Sequence, residues 1–405
     1  MRRQVQEDFP FLRQAAGPLR YLDNAATTQK PLQVIEAIAG CYRAACAPVH
    51  RGLYPLAARA TADYEAARRR LAQFIGAPRA EEVIFTRSTT DSINLVACAW
   101  ARRQLRPADR VWVTRLEHHS NFLPWQKICR ERGAELRIIE LGRNGRPDFD
   151  APSELYGART RLIAISQVSN VLGIVNPVEQ VAGRARARGI AVLVDAAQAA
   201  AHEPIDVGAL ECDFLAFSAH KMYGPSGIGL LYAAAPRLAE MEPVIVGGGM
   251  VDEVGESQST WAPAPARFEA GSPDAAGAAG FAAAADYVDA IDRGALGAHV
   301  RALADRAMRC LSEISGVEIY GPSQEGQRAG IVSFNVKGLH PHDVAQVAGE
   351  EGVALRAGHH CCQPLMKHLG ISGTVRASFA VYNDHSDIEA LCAAVRRARR
   401  LLLSE

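Results

Sequence analysis

The 405-residue sequence lacks the features that mark secreted and membrane proteins. It contains no Asn-x-Ser/Thr glycosylation acceptor, and the opening stretch MRRQVQEDFPFLRQ has no apolar segment typical of a secretory signal. The most apolar long run, residues 275–291, is interrupted by Asp286 and Asp289, which predicts a buried helix rather than a membrane span. We therefore expect a cytoplasmic protein without a membrane partner.

The sequence also lacks an excess of basic or of acidic residues. The chain has 45 basic and 44 acidic residues, and a net charge of +1 gives no reason to expect a nucleic-acid partner. The basic run RRARR at residues 396–400 is typical of the solvent face of an amphipathic end helix.

The cysteines show no pairing pattern. The nine cysteines are an odd number, and no repeated C-x-x-C pairs occur. Cys98 and Cys392 stand among apolar neighbours, where cysteine behaves as a small hydrophobic side chain. We expect no disulfide framework in a cytosolic chain of this length.

The sequence does have a regular alternation of strands and helices. Short, continuously apolar runs such as VWVTRLEH, RLIAISQVSN and DFLAFSAHK alternate with amphipathic stretches, one of which, PVEQVAGRARARG, is predicted to end at Gly189. This alternation predicts a mostly parallel α/β sheet. After about residue 290 a long helix, fewer strands and a C-terminal helix reaching Glu405 predict a smaller α+β domain.

Two residues of opposite charge follow neighbouring strands. Asp195 ends one apolar run, and Lys221 ends the next, 26 residues later. Ligands of parallel sheets bind at the carboxyl ends of the strands. Pyridoxal phosphate needs a lysine that binds its aldehyde and an acid that keeps its pyridine nitrogen protonated. The spacing alone fits a structural ion pair equally well, so both interpretations stay open here.

Hydroxyl groups and histidines surround this pair in the sequence. Thr89 and Thr90 stand where the strand EVIF turns into a helix, a position that suits either a phosphate or ordinary helix capping. Ser218 and His220 lie beside Lys221 and could add phosphate donors. The stretch EHHSN, with His118, could supply a ring that stacks on the cofactor and exchanges protons.

The stretch RAGHHCCQPLM, residues 356–366, joins two histidines directly to two cysteines. Adjacent side chains of an extended segment point to opposite faces, so four consecutive residues cannot easily bind one metal ion. The spacers of structural zinc sites are also missing. A disulfide between Cys361 and Cys362 would need a strained ring and an oxidising environment. We expect no metal site and only one sulfur facing a ligand.

The chain as a whole resembles the SufS-type cysteine desulfurases, which are pyridoxal-phosphate enzymes of the class V aminotransferase group. The resemblance runs from about Phe9 to the C-terminus and is carried by a series of motifs in order: YLDNAATTQKP, VHRG, EHHSN, PWQ, VSNVLG, VDAAQ, FSAHKMYGPSGIG, GGGM, RFEAGSP, RAGHHC and VRASFAVYN. It implies a pyridoxal-phosphate-dependent transferase fold of type I. The large domain, residues 21–289, would hold a mostly parallel seven-stranded sheet, and residues 1–20 and 290–405 would form the small α+β domain.

The resemblance also implies the residues of the site. The implied catalytic residues are Cys361, Lys221 and His118. The implied cofactor-binding residues are Lys221, Asp195 at the pyridine nitrogen, Gln198 at the 3-hydroxyl, His118 stacked on the ring, and Thr89, Thr90, Ser218, His220 and Ser272 at the phosphate. The implied substrate-binding residues are Asn170, Arg356, Arg376 and His50. Ser272 and His50 belong to EAGSP and VHRG, which would act across the interface of a homodimer.

The implied activity is conversion of L-cysteine to L-alanine, with the sulfur held as a persulfide on Cys361, on a mobile loop facing Lys221. The persulfide would pass to a sulfur-acceptor protein of SufE or SufU type, for iron–sulfur cluster or other sulfur biosynthesis. Selenocysteine lyase and cysteine sulfinate desulfinase activities remain alternatives on the same scaffold, as does a non-catalytic sulfur-relay scaffold. Cys362, where the family often has alanine, is either a bystander or a second thiol that accepts the persulfide.

Overall fold

The computed structural model describes residues 2–14 and 19–403, and within them fifteen strands, mostly short. They are β1 (Arg20–Tyr21), β2 (Val83–Thr86), β3 (Arg110–Thr114), β4 (Glu135–Ile139), β5 (Thr160–Ser166), β6 (Ala191–Asp195), β7 (Phe214–Ser218), β8 (Gly229–Ala233), β9 (Val251–Val254), β10 (Ser259–Trp261), β11 (Val317–Tyr320), β12 (Ile331–Val336), β13 (Val353–Ala354), β14 (Arg356–Gly358) and β15 (Thr374–Ser378).

Fifteen α-helices lie in the same described residues. They are α1 (Arg2–Glu7), α2 (Pro10–Gln14), α3 (Leu32–Ala44), α4 (Pro55–Phe74), α5 (Thr89–Val96), α6 (Arg102–Gln104), α7 (Leu123–Arg132), α8 (Val178–Arg186), α9 (Val207–Leu210), α10 (Ala235–Glu240), α11 (Ala275–Ile291), α12 (Arg293–Ser312), α13 (Pro341–Glu350), α14 (Gln363–Leu369) and α15 (His385–Leu402). A π-helical turn, Ala97–Ala101, joins α5 to α6.

The central sheet has seven strands in the order β2–β8–β7–β6–β5–β3–β4. Neighbours from β7 to β4 are parallel, and β8 alone runs antiparallel to the strands on both of its sides. This confirms the predicted mostly parallel sheet.

Both faces of the central sheet are covered by helices, which explains its continuously apolar strands. Successive residues of β5 alternate between two cores, with Ile163 packed in one and Leu162 in the other. The first core includes side chains of α4, α8 and α11, and the second includes those of α5 and α7. Ligands of parallel sheets bind at the carboxyl ends of the strands, so we expect the ligand-binding edge of this sheet there.

Two helix boundaries bear on the sequence-based predictions. The apolar run at residues 275–291 forms the buried helix α11, as predicted. Helix α8 ends at Arg186 instead of at Gly189, which adopts a left-handed φ of 67° three residues later. No helix within residues 2–14 and 19–403 is long and apolar enough to cross a membrane.

The C-terminal part of the chain forms a second, smaller sheet. Strands β11, β12, β15 and β14 lie in that order, all antiparallel, and α12, α13 and α15 pack near them. The short β1 pairs in parallel with β13, which ties the N-terminal segment to this region. The domain boundaries expected above remain a prediction, and residues 1, 15–18, 404 and 405 lie outside the described part of the chain.

One disulfide corrects the expectation that Cys392 only fills space. The structure bonds Cys392 of α15 to Cys310 of α12, with their Cα atoms 6.5 Å apart. The two helices pack side by side, which brings these residues together although they are 82 positions apart in the sequence. The other seven cysteines are free thiols.

Candidate active site

Asp195 and Lys221 meet at the carboxyl edge of the central sheet. Asp195 is the last residue of β6, and Lys221 closes the short 3-10 turn that follows β7. Both line a cavity of about 240 Å³. The cavity also brings together ten other predicted site residues: Thr89, Thr90, His118, Asn170, Gln198, Ser218, His220, Arg356, Cys361 and Arg376.

The motif YLDNAATTQKP holds the turn that carries Lys221. The carbonyl oxygen of His220 accepts the backbone N–H of Thr28 at 3.0 Å and a hydrogen bond from Lys30 Nζ at 3.0 Å. Gln198 Nε2 donates to the carbonyl oxygen of Ala25 at 2.8 Å. This N-terminal stretch therefore serves as a wall of the cavity and as an anchor for the lysine.

Burial controls the charge of both central groups. Burial lowers the pKa of Lys221, and the nearby Asp195 partly opposes this shift. Burial likewise raises the pKa of Asp195, whose Oδ1 accepts the N–H of Ala197 at 2.9 Å. A lysine with a lowered pKa supplies more of the neutral amine that can attack an aldehyde.

His118 presents a neutral ring to the cavity. Its Nδ1 accepts the backbone N–H of Ser120 at 3.1 Å, so the proton of the neutral ring lies on Nε2. Burial, followed by the charge of Lys221, lowers the pKa of His118 to about 3. Ser120 also pairs its hydroxyl with that of Thr90 at 2.6 Å. Ser120 belongs to the EHHSN stretch, and the sequence alone assigned it no role.

Hydroxyl groups collect where β2 turns into α5. Ser88 caps the helix by accepting the N–H of Asp91, and Ser218 Oγ lies 2.7 Å from both the backbone nitrogen and the hydroxyl of Thr89. Gly229 lets this turn approach β8, since a Cβ atom there would lie 2.7 Å from the backbone of Ser88. Hydroxyl and N–H groups at a helix start suit a phosphate.

Pyridoxal phosphate has an aldehyde, a pyridine nitrogen and a phosphate. The amine of Lys221 suits the aldehyde, the carboxylate of Asp195 suits the pyridine nitrogen, and the hydroxyl-rich start of α5 suits the phosphate. The residues present therefore fit the cofactor.

A pair of arginines also lines the cavity. Arg376 is buried, donates from Nη1 to the carbonyl oxygen of Asn170 at 2.9 Å, and pairs with Asp23 at 3.1 Å. Its Nε has no hydrogen-bond partner in the described structure. Arg356 lies opposite Arg376 across the β14–β15 pair and approaches Asp23 to 3.9 Å. Two guanidinium groups at one cavity suit a carboxylate ligand. Asp23 is the ion-pair partner of these arginines and was not identified from the sequence.

Cys361 stands in a turn that is attached on both sides. His360 and Cys361 both have left-handed φ angles, of 49° and 54°. The side-chain amide of Asn170 donates a hydrogen bond to the carbonyl oxygen of His360 at 2.7 Å. The backbone N–H of His119 donates a hydrogen bond to the carbonyl oxygen of Cys361 at 2.7 Å. The structure shows a tethered turn where the sequence suggested a mobile loop.

Cys362 points away from the cavity into a separate apolar cluster with Leu365 and Met366. Its Sγ lies 3.3 Å from the carbonyl oxygen of Glu117, and burial raises its pKa to about 12. The two neighbouring sulfurs thus face different surroundings, and a buried thiol of this kind favours the bystander interpretation.

Two predicted residues lie away from the Lys221 cavity in the single chain. Ser272 is exposed and lines a separate cavity of about 230 Å³ together with Arg51. His50 is exposed and bonds Glu65 at 3.1 Å. Among the described residues, no three or more His, Cys, Asp or Glu side chains stand close enough to hold a metal ion.

The fold and this constellation define a pyridoxal-phosphate-dependent enzyme of the α/β type. The chain belongs to the Aminotransferase class-V family, whose model matches residues 20–391.

Individual relatives cover nearly the whole chain. It is 46% identical to a probable cysteine desulfurase of Halalkalibacterium halodurans, over 98% of this chain and 97% of the relative. It is 44% identical to a cysteine desulfurase of Salmonella agona, over 98% of each. Among solved structures, the cysteine desulfurase CsdA of Escherichia coli superposes with a TM-score of 0.92 at 40% identity and covers 99% of each chain.

Proposed function

We propose that this protein is a pyridoxal-phosphate-dependent cysteine desulfurase, which converts L-cysteine to L-alanine and keeps the sulfur as a persulfide on Cys361. One observation carries the proposal: Cys361 lines the same cavity as Lys221 and Asp195. A thiol at that place can reach the sulfur of an amino acid whose amine is bound near Lys221. The names of the nearly full-length relatives support the same activity.

When bound, pyridoxal phosphate supplies an electron sink for the negative charge that develops at the substrate Cα. Asp195 would keep the pyridine nitrogen protonated, and His118 would pack against the ring. Lys221 would hold the cofactor through its aldehyde and would accept the substrate Cα proton at Nζ. Gln198 would hydrogen-bond the 3-hydroxyl.

Further residues bind the two anionic ends. Thr89, Thr90, Ser218 and His220 would hold the phosphate, and Ser272 would be contributed across a dimer interface. Arg376 and Arg356 bind the substrate carboxylate with Asn170 beside them, and this fixes the Cα–H bond in the orientation that its cleavage requires. His50 would contact the substrate from the neighbouring subunit.

The sulfur step needs a thiolate at Cys361. Its Sγ attacks the substrate sulfur, a new S–S bond forms, and the C–S bond breaks with its electron pair going to the carbon fragment. His118 carries its proton on Nε2 and would exchange protons with the substrate. One thiol and one cysteine give one persulfide and one alanine, so no external oxidant or reductant is needed.

A persulfide has to leave the enzyme on another thiol. We propose an acceptor protein of SufE or SufU type, iron–sulfur cluster assembly as the destination of the sulfur, and a homodimer as the working form. We also propose a cytoplasmic location, because the seven free cysteines fit a reducing compartment. The Cys310–Cys392 disulfide is the observation that argues the other way.

The direct test is an assay of alanine and persulfide from L-cysteine, with and without a candidate acceptor. The purified protein should be yellow and should form alanine in proportion to transferred sulfur. Lys221→Ala should lose both the visible absorbance and the activity. A colourless protein that cannot be reconstituted with the cofactor would instead indicate a non-catalytic sulfur-relay scaffold.

The substrate class is separated by a panel of L-cysteine, L-selenocysteine and cysteine sulfinate. Selenium and sulfinate leave more readily than sulfide, so turnover of these substrates does not require the Cys361 thiol. Two results together would favour the alternative activities. The wild-type enzyme would prefer L-selenocysteine or cysteine sulfinate to L-cysteine, and the Cys361→Ala variant would still turn over the preferred compound.

A further inference from the structure

His119 contacts the Cys361 turn on both of its flanks. Its backbone N–H donates to the carbonyl oxygen of Cys361 at 2.7 Å. Its ring Nε2 accepts the backbone N–H of Gln363 at 3.2 Å. Gln363 is the first residue of α14, so this N–H has no acceptor within its own helix. One residue thus holds the chain before and after the buried Cys362.

A second histidine completes the arrangement from the turn itself. The Nδ1 atom of His359 accepts a hydrogen bond from the backbone N–H of Cys361 at 3.0 Å. The carbonyl oxygen of His359 accepts a hydrogen bond from the backbone N–H of Cys362 at 2.9 Å. The rings of His119 and His359 lie 5.6 Å apart and 35° from parallel. Two imidazole nitrogens, both acting as acceptors, therefore fix backbone N–H groups on either side of the thiol.

This support matters because the turn is strained. A non-glycine residue with a left-handed φ costs energy, and here two such residues, His360 and Cys361, follow one another. Such a conformation persists only when its surroundings enforce it. The backbone bond from His119 and the two imidazole acceptors hold the turn, together with the bond from Asn170 to His360.

We propose that His119 is a positioning residue for Cys361, whose neutral imidazole accepts the N–H of Gln363 and thereby holds the thiol toward Lys221. This proposal deepens the proposed function and depends on Cys361 being the nucleophile. His119 also follows His118 directly, so one segment carries both the ring that faces the cofactor and the ring that holds the thiol turn.

Protonation of His119 would break this contact. A protonated Nε2 carries a hydrogen and would face the N–H of Gln363 without a lone pair to accept it. The titratable and charged groups near the ring are His359 from the turn, His118 on the same segment, and Arg115 and Lys367 in the groove that His119 lines. Burial, followed by His359, lowers the pKa of His119 below its ordinary 6.5, so the ring is neutral at neutral pH.

The test compares three variants of the cofactor-loaded protein: His119→Ala, His119→Gln and, as a matched control, His368→Ala. Gln can still offer an acceptor oxygen near the position of Nε2, whereas Ala cannot. His368 is a histidine of the last turn of α14, outside the Cys361 turn. Two rates are measured near neutral pH: persulfide formation in a single turnover, and alkylation of Cys361 by iodoacetamide in the absence of substrate.

We expect His119→Ala to slow persulfide formation about tenfold, the factor that one lost hydrogen bond produces, with an unchanged KM for cysteine. Alkylation of its Cys361 should be faster by a similar factor, because the turn is released. His119→Gln and His368→Ala should behave as wild type near neutral pH. Below the pKa of His119, His119→Gln should keep more of its rate than wild type does, because glutamine does not titrate.

The proposal is overturned if His119→Ala alkylates and reacts like wild type, or if His119→Gln is impaired as strongly as His119→Ala. Failure of the proposed function has a different signature. In that case Cys361→Ala would still form alanine from cysteine, whereas the alkylation rates of the His119 variants would still report how the turn is held.

Discussion

Glu117, the residue before the two histidines, is a buried acid that touches no part of the proposed reaction. It accepts hydrogen bonds from Thr114 at 2.6 Å and Asn121 at 2.7 Å, and burial raises its pKa from 4.5 to about 7. The folded protein therefore keeps a proton on Glu117 over a range of pH in which the unfolded chain has lost it. Stability from this group is present in acid and is lost as the pH rises through about 7.

Replacement of Glu117 by glutamine should remove this pH dependence. The glutamine of Glu117→Gln never ionises. The unfolding free energy of the variant, relative to that of wild type, should therefore increase by on the order of 3 kcal/mol between pH 5 and pH 8. Urea unfolding of the cofactor-free protein at both pH values measures the difference. An offset between variant and wild type that does not change with pH would contradict the assignment.

Cys362 is the residue whose role the sequence left open, and its burial leads to a definite expectation. Cys362→Ala removes one sulfur from the cluster with Leu365 and Met366, which should cost about 1 kcal/mol of unfolding free energy. Persulfide formation and transfer to the acceptor should be unchanged, because this thiol does not face the cavity. Transfer that slows in Cys362→Ala with normal persulfide formation would show that it is a second sulfur carrier.

At the scale of elements, the start of α5 depends on how closely it approaches β8. Gly229→Ala places a Cβ atom 2.7 Å from the backbone of Ser88, so the hydroxyl-bearing turn has to move away from the sheet. We expect about tenfold weaker binding of pyridoxal phosphate to the cofactor-free variant, the effect of a loss of about 1.4 kcal/mol. An absorbance titration measures the affinity.

Gly349→Ala in α13 is the matched control, since a Cβ atom there meets nothing within 4 Å. It should raise stability by about 0.5–1 kcal/mol and leave cofactor affinity unchanged. Equal affinities for the Gly229 and Gly349 variants would mean that this turn does not hold the phosphate.

The elements themselves were largely predictable, because strands covered on both faces read as apolar runs. VWVTRLEH and DFLAFSAHK became β3 and β7, and the ends of the apolar runs were enough to single out Asp195 and Lys221. The contacts between elements were not predictable. Asp23 pairs with Arg376 across 353 positions, and the bond between Cys310 and Cys392 depends on how α12 packs against α15. Left-handed angles at His360 and Cys361 leave no signal in residue type.

At the scale of the whole molecule, the exposed apolar side chains around VHRG support the proposed homodimer. Leu53 is fully exposed in the single chain, Tyr42 is 65% exposed, and Ile245 and Val246 are 63% and 61% exposed. Arg51, beside Leu53, contacts the loop with Gly248 and lines the cavity of Ser272. A homodimer that covers this region would explain both the exposure and the distance of Ser272 from Lys221 of its own chain.

Light scattering should therefore give twice the chain's 43.6 kDa. Leu53→Asp should shift the protein toward the monomer, because the new carboxylate would be buried without a partner. Leu401→Asp, at an exposed apolar residue of the C-terminal helix α15, is the control and should leave the dimer intact. A wild-type mass of one chain at micromolar concentration would contradict the dimer.

The central claim is that Cys361 accepts the sulfur, and mass spectrometry of that residue tests it most directly. A tryptic peptide that contains Cys361 also contains Cys362, so the experiment uses the Cys362→Ala protein with and without the Cys361→Ala substitution. After incubation with L-cysteine, the peptide with Cys361 should carry one extra sulfur atom. The double variant should keep the cofactor absorbance and lose about a hundredfold or more of its alanine formation. Undiminished turnover in the double variant would contradict the assignment of Cys361 as the nucleophile.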